Sequence, residues 1–402
     1  NTKSVIRPDY NLKDISITRF KPLNDKELLI ATDGGGVHKI NMDTYQIVPE
    51  IVADYNSNCG MNGNSINDIF VDDEERIWLA NYPLGIKIQN NRYTSYKWIK
   101  HSIGNKQSLI NDQVNAIIED REGDLWFATN NGISFFNSKT GQWRSVLSAF
   151  EESQGNKSHI FLTICEVAPG IIWAGGYSSG AYQIDKKTFS VSYFMPPLYT
   201  HTNKRPDKYI RDIRTDMQGY IWSGGFYNLK RINLKTQEVR FYDGLNSITA
   251  IVEKDEKSMW IGSATGLCLL DKESGKFERI KLPVESSYIY SLYQAKNGSL
   301  YIGTSGSGLL IYDINKKLFT HYHTENCALI SNNIYTILSD ADKDIIMSTE
   351  SGLTSFYPNE KKFYNWTKDM GLMTTHFNAL SGTLRKNNKF ILGSSDGAVE
   401  FD

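Results

Sequence analysis

Nine times in this chain the same arrangement returns: a polar turn, an anchor residue with a small residue two places on, a second turn, an apolar pair and a basic turn. GDLWFATNNGISFFNSKTG, GYIWSGGFYNLKRINLKTQ and GSLYIGTSGSGLLIYDINKK are three of the copies. The anchors are Leu29, Trp78, Trp126, Trp173, Trp222, Trp260, Tyr301, Ile346 and Ile391, spaced 38 to 49 residues apart. A repeat of that length with four short strand patterns is the mark of a β-propeller blade, which cannot bury its faces alone and must stack on neighbours. In the third copy the strands read VNAIIED, LWFAT, ISFFN and QWRSV, joined by the turns REGD, NNG and SKTG. The expected fold class is all-β, with four-stranded blades and no helix beyond about two turns.

The columns around the anchor carry physical meaning. Two places after it every residue is small (Ala31, Ala80, Ala128, Gly175, Gly224, Gly262, Gly303, Ser348, Gly393), as close approach of neighbouring sheets requires. Twelve and nine places before it stand apolar residues, such as Val114 with Ile117 and Ile210 with Ile213. Ten places before it the residues shrink to Asp68, Ala116, Thr163, Asp212, Ala250, Ser291 and Thr336, which fits an innermost strand converging on an axis. The turn after the second strand carries Gly in eight copies and Asn228 in the ninth. Gly and Asn tolerate the left-handed backbone best, so Asn228 is expected in that conformation. As hairpin turns these glycines are not phosphate loops; Asp33-Gly34-Gly35-Gly36 lacks the following helix and lysine.

The last copy ends at GAVEFD, before a fourth strand. Seven copies counted back from there begin with the Trp126 unit, and NRYTSYKW just before it can supply the closing strand. The expected division is therefore 1–90, the last two blades of a preceding propeller, and 91–402, a seven-bladed ring. An eight-bladed ring closed by YQIVPE is the alternative, and nine blades in one ring is the least favoured.

The units NSINDIFVDDEERIWLANYPLGIKI and DQVNAIIEDREGDLWFATNNGISFFN, with the lead-in HSIGNKQSLINDQ, resemble the regulator-propeller repeats of hybrid two-component sensors from gut Bacteroidetes. The ending GLMTTHFNALSGTLRKNNKFILGSSDGAVEFD is similar to that family's final blade, which precedes a small β-sandwich with three tyrosines. The resemblance implies a periplasmic, ligand-sensing segment of an inner-membrane protein that recognises a glycan breakdown product and controls a histidine kinase. It implies no catalysis in this segment and membrane attachment only through segments outside it. A homodimer of the full-length protein is compatible with it. It supplies no residue-level binding motif.

The residues themselves exclude several classes. A net charge of −1 gives no reason to expect nucleic acid. No apolar run approaches a membrane span. Cys59, Cys165, Cys268 and Cys327 have no metal spacing; Cys165 and Cys268 lie in strand patterns as buried thiols, with a disulfide left open. His321 and His323 share a strand face but read as outer-edge residues, and Asp72-Asp73-Glu74-Glu75 reads as a solvated hairpin. No nucleophile motif occurs, and no cofactor or metal is expected. Repeat phase brings Asn130, Tyr177, Ser178, Phe226, Tyr227, Glu350 and Asp396 to the loop face, with Asn111, Asp112, Arg211, Tyr288, Asn332 and His376 at the starts of inner strands. Aromatic faces with planar hydrogen-bonding groups suit a sugar. Tyr177, Arg211, Tyr227 and His376 are the expected ligand-binding residues, for an anionic or neutral oligosaccharide. The bland alternative pairs Arg211 with Asp212 or Asp216. The alternative function is a propeller enzyme of lyase or lactonase type, which rests on fold analogy.

Overall fold

The computed structural model describes residues 15–53, 63–72, 76–90, 96–148, 159–194, 208–340 and 344–402. The chain divides into two compact units, Asn1–Ser95 and Tyr96–Asp402. Among the described residues the one helical element is a short 3-10 turn, Lys368–Met370.

The first unit holds one four-stranded antiparallel sheet, Ser16–Pro22, Glu27–Asp33, Gly36–Asn41 and Ile47–Ile51, and one three-stranded sheet, Ile66–Val71, Arg76–Asn81 and Gly85–Asn90. YQIVPE thus contributes to the fourth strand of its own sheet, not to a ring closure.

The second unit is a closed ring of seven four-stranded antiparallel blades. The innermost strands are Val114–Glu119, Phe161–Ala168, Ile210–Thr215, Ile248–Glu253, Ile289–Gln294, Ile334–Ser339 and Phe377–Leu384, and each packs on the next. The last packs back on the first. Blade 7 takes its outer strand from the chain ahead of blade 1: Lys97–Ile99 pairs antiparallel with Gly397–Phe401, Glu400 opposite Lys97 and Ala398 opposite Ile99. Arg385 of blade 7 adds a second fastening, bonding Glu119 of blade 1 at 3.0 Å and Glu400 at 2.6 Å.

The anchor column is the core of each blade; Trp126, Trp173, Trp222 and Trp260 are essentially inaccessible. A buried indole N–H needs an acceptor. Asp72, Asp120 and Asp216, six places upstream, accept those of Trp78, Trp126 and Trp222 at 2.7–2.9 Å. Asp72 is therefore no solvated turn residue; Asp73, Glu74 and Glu75 lie outside the described residues. Two of these acids also hold a lysine from the following blade. Lys186 lies 2.6 Å from Asp120 and 2.7 Å from Asp124, and Lys272 lies 3.5 Å from Asp216.

Burial opposes ionisation of Asp120, but the Lys186 ammonium, the Trp126 N–H and the Asp124 backbone N–H outweigh it and hold the carboxyl below its ordinary value of 3.8. The stability this contributes is fully present above that value and lost as the pH falls below it through the lowered one. Asp120→Asn is expected to be less stable than the parent at pH 7, with the gap narrowing at pH 3. Urea midpoints at both pH values check this, and a gap of constant size would show that the charge is not its source.

The glycine column behaves as hairpins demand: Gly132, Gly180, Gly266, Gly308, Gly352 and Gly397 all have positive φ. Asn228 does not. Its turn closes through a Gly225 N–H to Asn228 carbonyl bond at 3.4 Å, and the next strand starts only at Leu229, so no left-handed residue is needed there. Cys165, Cys268 and Cys327 are free thiols, and burial pushes that of Cys165 up to about 11. Cys59 lies outside the described residues.

Candidate functional site

Apart from a second shift in blade 2, between Glu166 and Ala168, the inner strand of blades 1 to 6 pairs regularly with its neighbour except for one register shift just after its first residue. The shift leaves one residue per blade unpaired: Asn115, Leu162, Arg211, Thr249, Tyr290 and Tyr335. A β-bulge re-aims the side chain it carries. Here the bulged residues turn toward the ring axis, as their contacts show. Asn115 donates to the Phe161 carbonyl of blade 2 at 2.8 Å, and the Tyr290 and Tyr335 rings meet edge to face at 5.1 Å.

The bulge also frees a backbone N–H two residues on. In three blades the small polar residue after the bulge captures that group of the next blade: Thr163 takes the Ile213 N–H, Asp212 the Ile251 N–H and Thr336 the Ser381 N–H. The column of small residues is therefore partly an inter-blade hydrogen-bonding column.

Blade 7 departs furthest. Phe377 faces Ser394, but the next paired residue is Gly382, opposite Leu392. The segment Asn378–Ser381 leaves its sheet. Asn378 donates to the Val114 carbonyl of blade 1 at 2.8 Å, while its own carbonyl accepts from Thr336 of blade 6 at 3.1 Å. The Ala379 carbonyl accepts from Arg211 of blade 3 at 3.2 Å, and Leu380, at φ 60°, packs against the cluster that holds Ala250, Ile289 and Leu292. One segment thus touches blades on several sides of the ring and plugs its channel.

Around the plug lies an aromatic surface. Tyr177, Tyr209, Phe226 and Tyr227 form a chain of edge-to-face contacts at 5.5, 6.4 and 5.1 Å. Tyr177, Phe226 and Tyr227 are each more than half exposed. The Tyr288 and Tyr290 rings lie 5.0 Å apart, tilted at 57°. Burial pushes the Tyr288 phenol upward, the positive charge of Arg211 pulls it down, and Tyr209 and Tyr290 push it up again. Glu350 lies near Tyr335 and accepts from Asn333 at 2.6 Å.

Of the four expected residues, Tyr177 and Tyr227 are joined through Tyr209 and Phe226, and Arg211 sits in the adjoining tyrosine cluster. His376 stays within its own blade, 3.2 Å from Asp396, which also accepts from Thr374 at 2.6 Å. Arg211 pairs with neither neighbouring acid: Asp212 holds Arg214 at 3.0 Å, and Asp216 holds Lys272. Sequence reading missed Tyr209, Thr249, Tyr290 and Tyr335. For the last three the available signal was a variable column, eleven places before the anchor, between two constant ones.

Among the described residues no group of three or more acids, histidines or cysteines could hold a metal ion. His321 donates through Nε2 to the Ser307 carbonyl at 2.6 Å. A separate concavity of about 810 Å³ lies between the loop at 101–110 and the strand Trp143–Val146, and holds none of the four residues.

Residues 108–131 and 283–306, in blades 1 and 5, match the family model described as Two component regulator propeller. Over 318 residues the chain is 22% identical to Histidine kinase P4 of Formosa agariphila, covering 72% of this chain and 22% of that protein. It resembles two structures described as extracellular domains of hybrid two component systems from B. thetaiotaomicron. One has a TM-score of 0.73 at 22% identity over 96% of this chain and 51% of that one; the second has 0.60 at 18% over 97% and 52%. A catalytically inactive virginiamycin B lyase from Staphylococcus aureus gives 0.60 at 13%, over 76% of this chain and 99% of that one. At these identities the structural likenesses show the fold. The chain spans about a fifth of the kinase and about half of each extracellular domain.

Proposed function

We propose that this chain, two of whose blades carry regulator-propeller repeats, is the periplasmic ligand-sensing part of a hybrid two-component sensor. On this reading it recognises a glycan breakdown product, a small anionic or neutral oligosaccharide, at the loop face of the seven-bladed ring, and its occupancy controls a histidine kinase outside the chain. Residues 1–90 are then the last two blades of a preceding propeller. Ile17, Phe20, Phe70, Ile86 and Ile88 leave apolar surface exposed in that unit, as incomplete stacking would.

One observation carries the reading. Arg211 is half-buried among tyrosines with no carboxylate within ion-pair distance among the described residues. Its one bonded partner there is a neutral carbonyl. A guanidinium has five donors, and aromatic faces beside unfilled donors match a sugar ring bearing hydroxyls or an acid. A calorimetric panel of glycan fragments tests this. Arg211→Ala is expected to weaken binding by about 1.5–3 kcal/mol with little change in melting temperature. Binding that survives Arg211→Ala combined with Tyr227→Ala would move the site elsewhere.

The enzyme reading has the likeness to a lyase fold behind it, and among the described residues no cluster of acids, histidines or cysteines that could hold a metal ion supports it. We expect no hydrolase or lyase turnover and no metal requirement. Activity lost on chelation, with stoichiometric calcium or zinc surviving dialysis, would reverse that expectation.

A further inference from the structure

We propose that the channel mouth is an anion subsite in which a ligand's carboxylate or sulfate takes Arg211 away from the Ala379 carbonyl, freeing the plug segment Asn378–Ser381. The proposal deepens the sensor reading and rests on it for the identity of the ligand, though not for the subsite itself.

The argument begins with what Arg211 is given. Its bulge aims it at the axis, and its Nη2 bond to Ala379 spans 168 residues of chain. The Ala379 carbonyl accepts one N–H of the guanidinium and carries no net charge, whereas a carboxylate or sulfate can engage two N–H groups at once and brings the opposite charge. Asp212 and Asp216, the acids that would otherwise satisfy it, are committed to Arg214 and Lys272. The cation is thus held where an anion can claim it.

Thr249 makes a second, independent observation. It occupies the same bulge in the next blade, is 6% exposed, and its Oγ1 is buried without a hydrogen-bond partner. A buried hydroxyl left unpaired is costly, and a ligand oxygen beside Arg211 would satisfy it. Leu380 packs on the cluster that contains Ala250, the residue after Thr249, which brings the plug to the inner strands of this part of the ring.

The plug is built to have two arrangements. Its contacts with blades 1 and 6 run through Asn378 and Ser381, at its ends. In the middle, the one polar tether among the described residues is the Arg211 bond, and Leu380 sits at a φ of 60°, where a leucine is strained. Releasing Arg211 removes the tether and lets that strain relax, while the end bonds keep the segment anchored to blades 1 and 6. The segment belongs to the inner strand that continues to Arg385, the fastening between blades 7 and 1. Occupancy of the mouth is thereby communicated to the ring closure.

The test is amide hydrogen exchange on the 402-residue chain, read over 377–384, with calorimetry in parallel at constant ionic strength. The probes are a hexuronate trisaccharide, a neutral hexose trisaccharide and sodium sulfate. Hexuronate and sulfate are expected to accelerate exchange at 378–381, and the neutral sugar to leave it unchanged. Arg211→Gln is expected to exchange fast there without any probe and to bind hexuronate about tenfold to a hundredfold more weakly. Thr249→Val, which keeps the shape, is expected to weaken hexuronate binding several-fold while leaving exchange in the free protein unchanged. If sulfate loosens the plug but neither sugar binds, the anion subsite stands and the glycan reading falls. If sugars of both classes bind equally and Arg211→Gln changes neither binding nor exchange, the subsite falls and the sensor reading stands. If no probe binds or alters exchange, both fall.

Discussion

Lys272→Met is expected to cost the ring about 3–5 kcal/mol, read as a large fall in the urea midpoint of the second unit's transition. Lys272 has no solvent exposure. Its ammonium bonds Glu253 and lies 3.5 Å from Asp216, whose same oxygen accepts the Trp222 indole N–H at 2.8 Å. Methionine fills the volume but leaves two carboxylates facing each other across a buried seam between blades 3 and 4. An ion pair in such a place need not exceed an apolar core in stability, yet removing one partner alone leaves charge that nothing compensates. Lys316→Met, whose partner Asp313 is at the surface, serves as the control. Equal effects of the two substitutions would show that the seam is wet or that its acids are neutral in the folded chain.

Gly132→Val is expected to be comparably severe, about 3–5 kcal/mol. Two costs combine there. At φ 102° a β-branched residue is strained whatever surrounds it. A Cβ would also stand 2.8 Å from the Leu147 carbonyl oxygen and 3.0 Å from the Ser148 Cα, backbone atoms that cannot swing aside. The hairpin is held further by the Gly132 N–H to His159 carbonyl bond at 2.8 Å. Gly123 separates the two costs, because at φ 89° it has nothing within 4 Å of an added Cβ. Gly123→Val should therefore show the strain alone, about 1–2 kcal/mol. If both variants melt alike, packing around Gly132 yields more than its geometry indicates.

What could be read from the chain was whatever repeats. The anchors, the small column and most of the glycine column each report one environment sampled nine times, so Trp126 and Tyr301 identify each other's surroundings. VNAIIED and LWFAT became the strands Val114–Glu119 and Leu125–Thr129 within a residue of their reading. The candidate site was less legible for the same reason. A bulged residue is relieved of pairing and of core packing, so its column is free to vary, and Asn115, Leu162, Arg211, Thr249, Tyr290 and Tyr335 share no chemistry that marks them as neighbours. Sequence proximity also misled. Asp212 and Asp216 stand beside Arg211 in the chain, but Asp212 turns to Arg214 and the Ile251 N–H, and Asp216 turns to Trp222 and Lys272. The partner Arg211 does have, Ala379, belongs to a bulge of four residues with no counterpart in the other blades. A feature that occurs once cannot be found by comparing copies. Asn228 shows the converse: a shared column does not impose a shared backbone conformation.

The pairing of Lys97–Ile99 with Gly397–Phe401 also sets a timetable for biosynthesis. The outer strand of blade 7 is made first, and its partner emerges about 300 residues later. At about 5–20 residues per second, that is a wait of roughly 15–60 s. Six blades have all four of their strands within consecutive chain and can form as they appear. Through that interval the closing strand keeps an unpaired edge, and blades 1 and 6 keep open flanks. A nascent chain in this state is most exposed to cross-pairing with a second nascent copy, whose own Lys97–Ile99 offers the same edge. Stalled or truncated translation products that stop before residue 397 would carry that edge permanently, which makes them targets for chaperones and proteases in a way the finished ring is not.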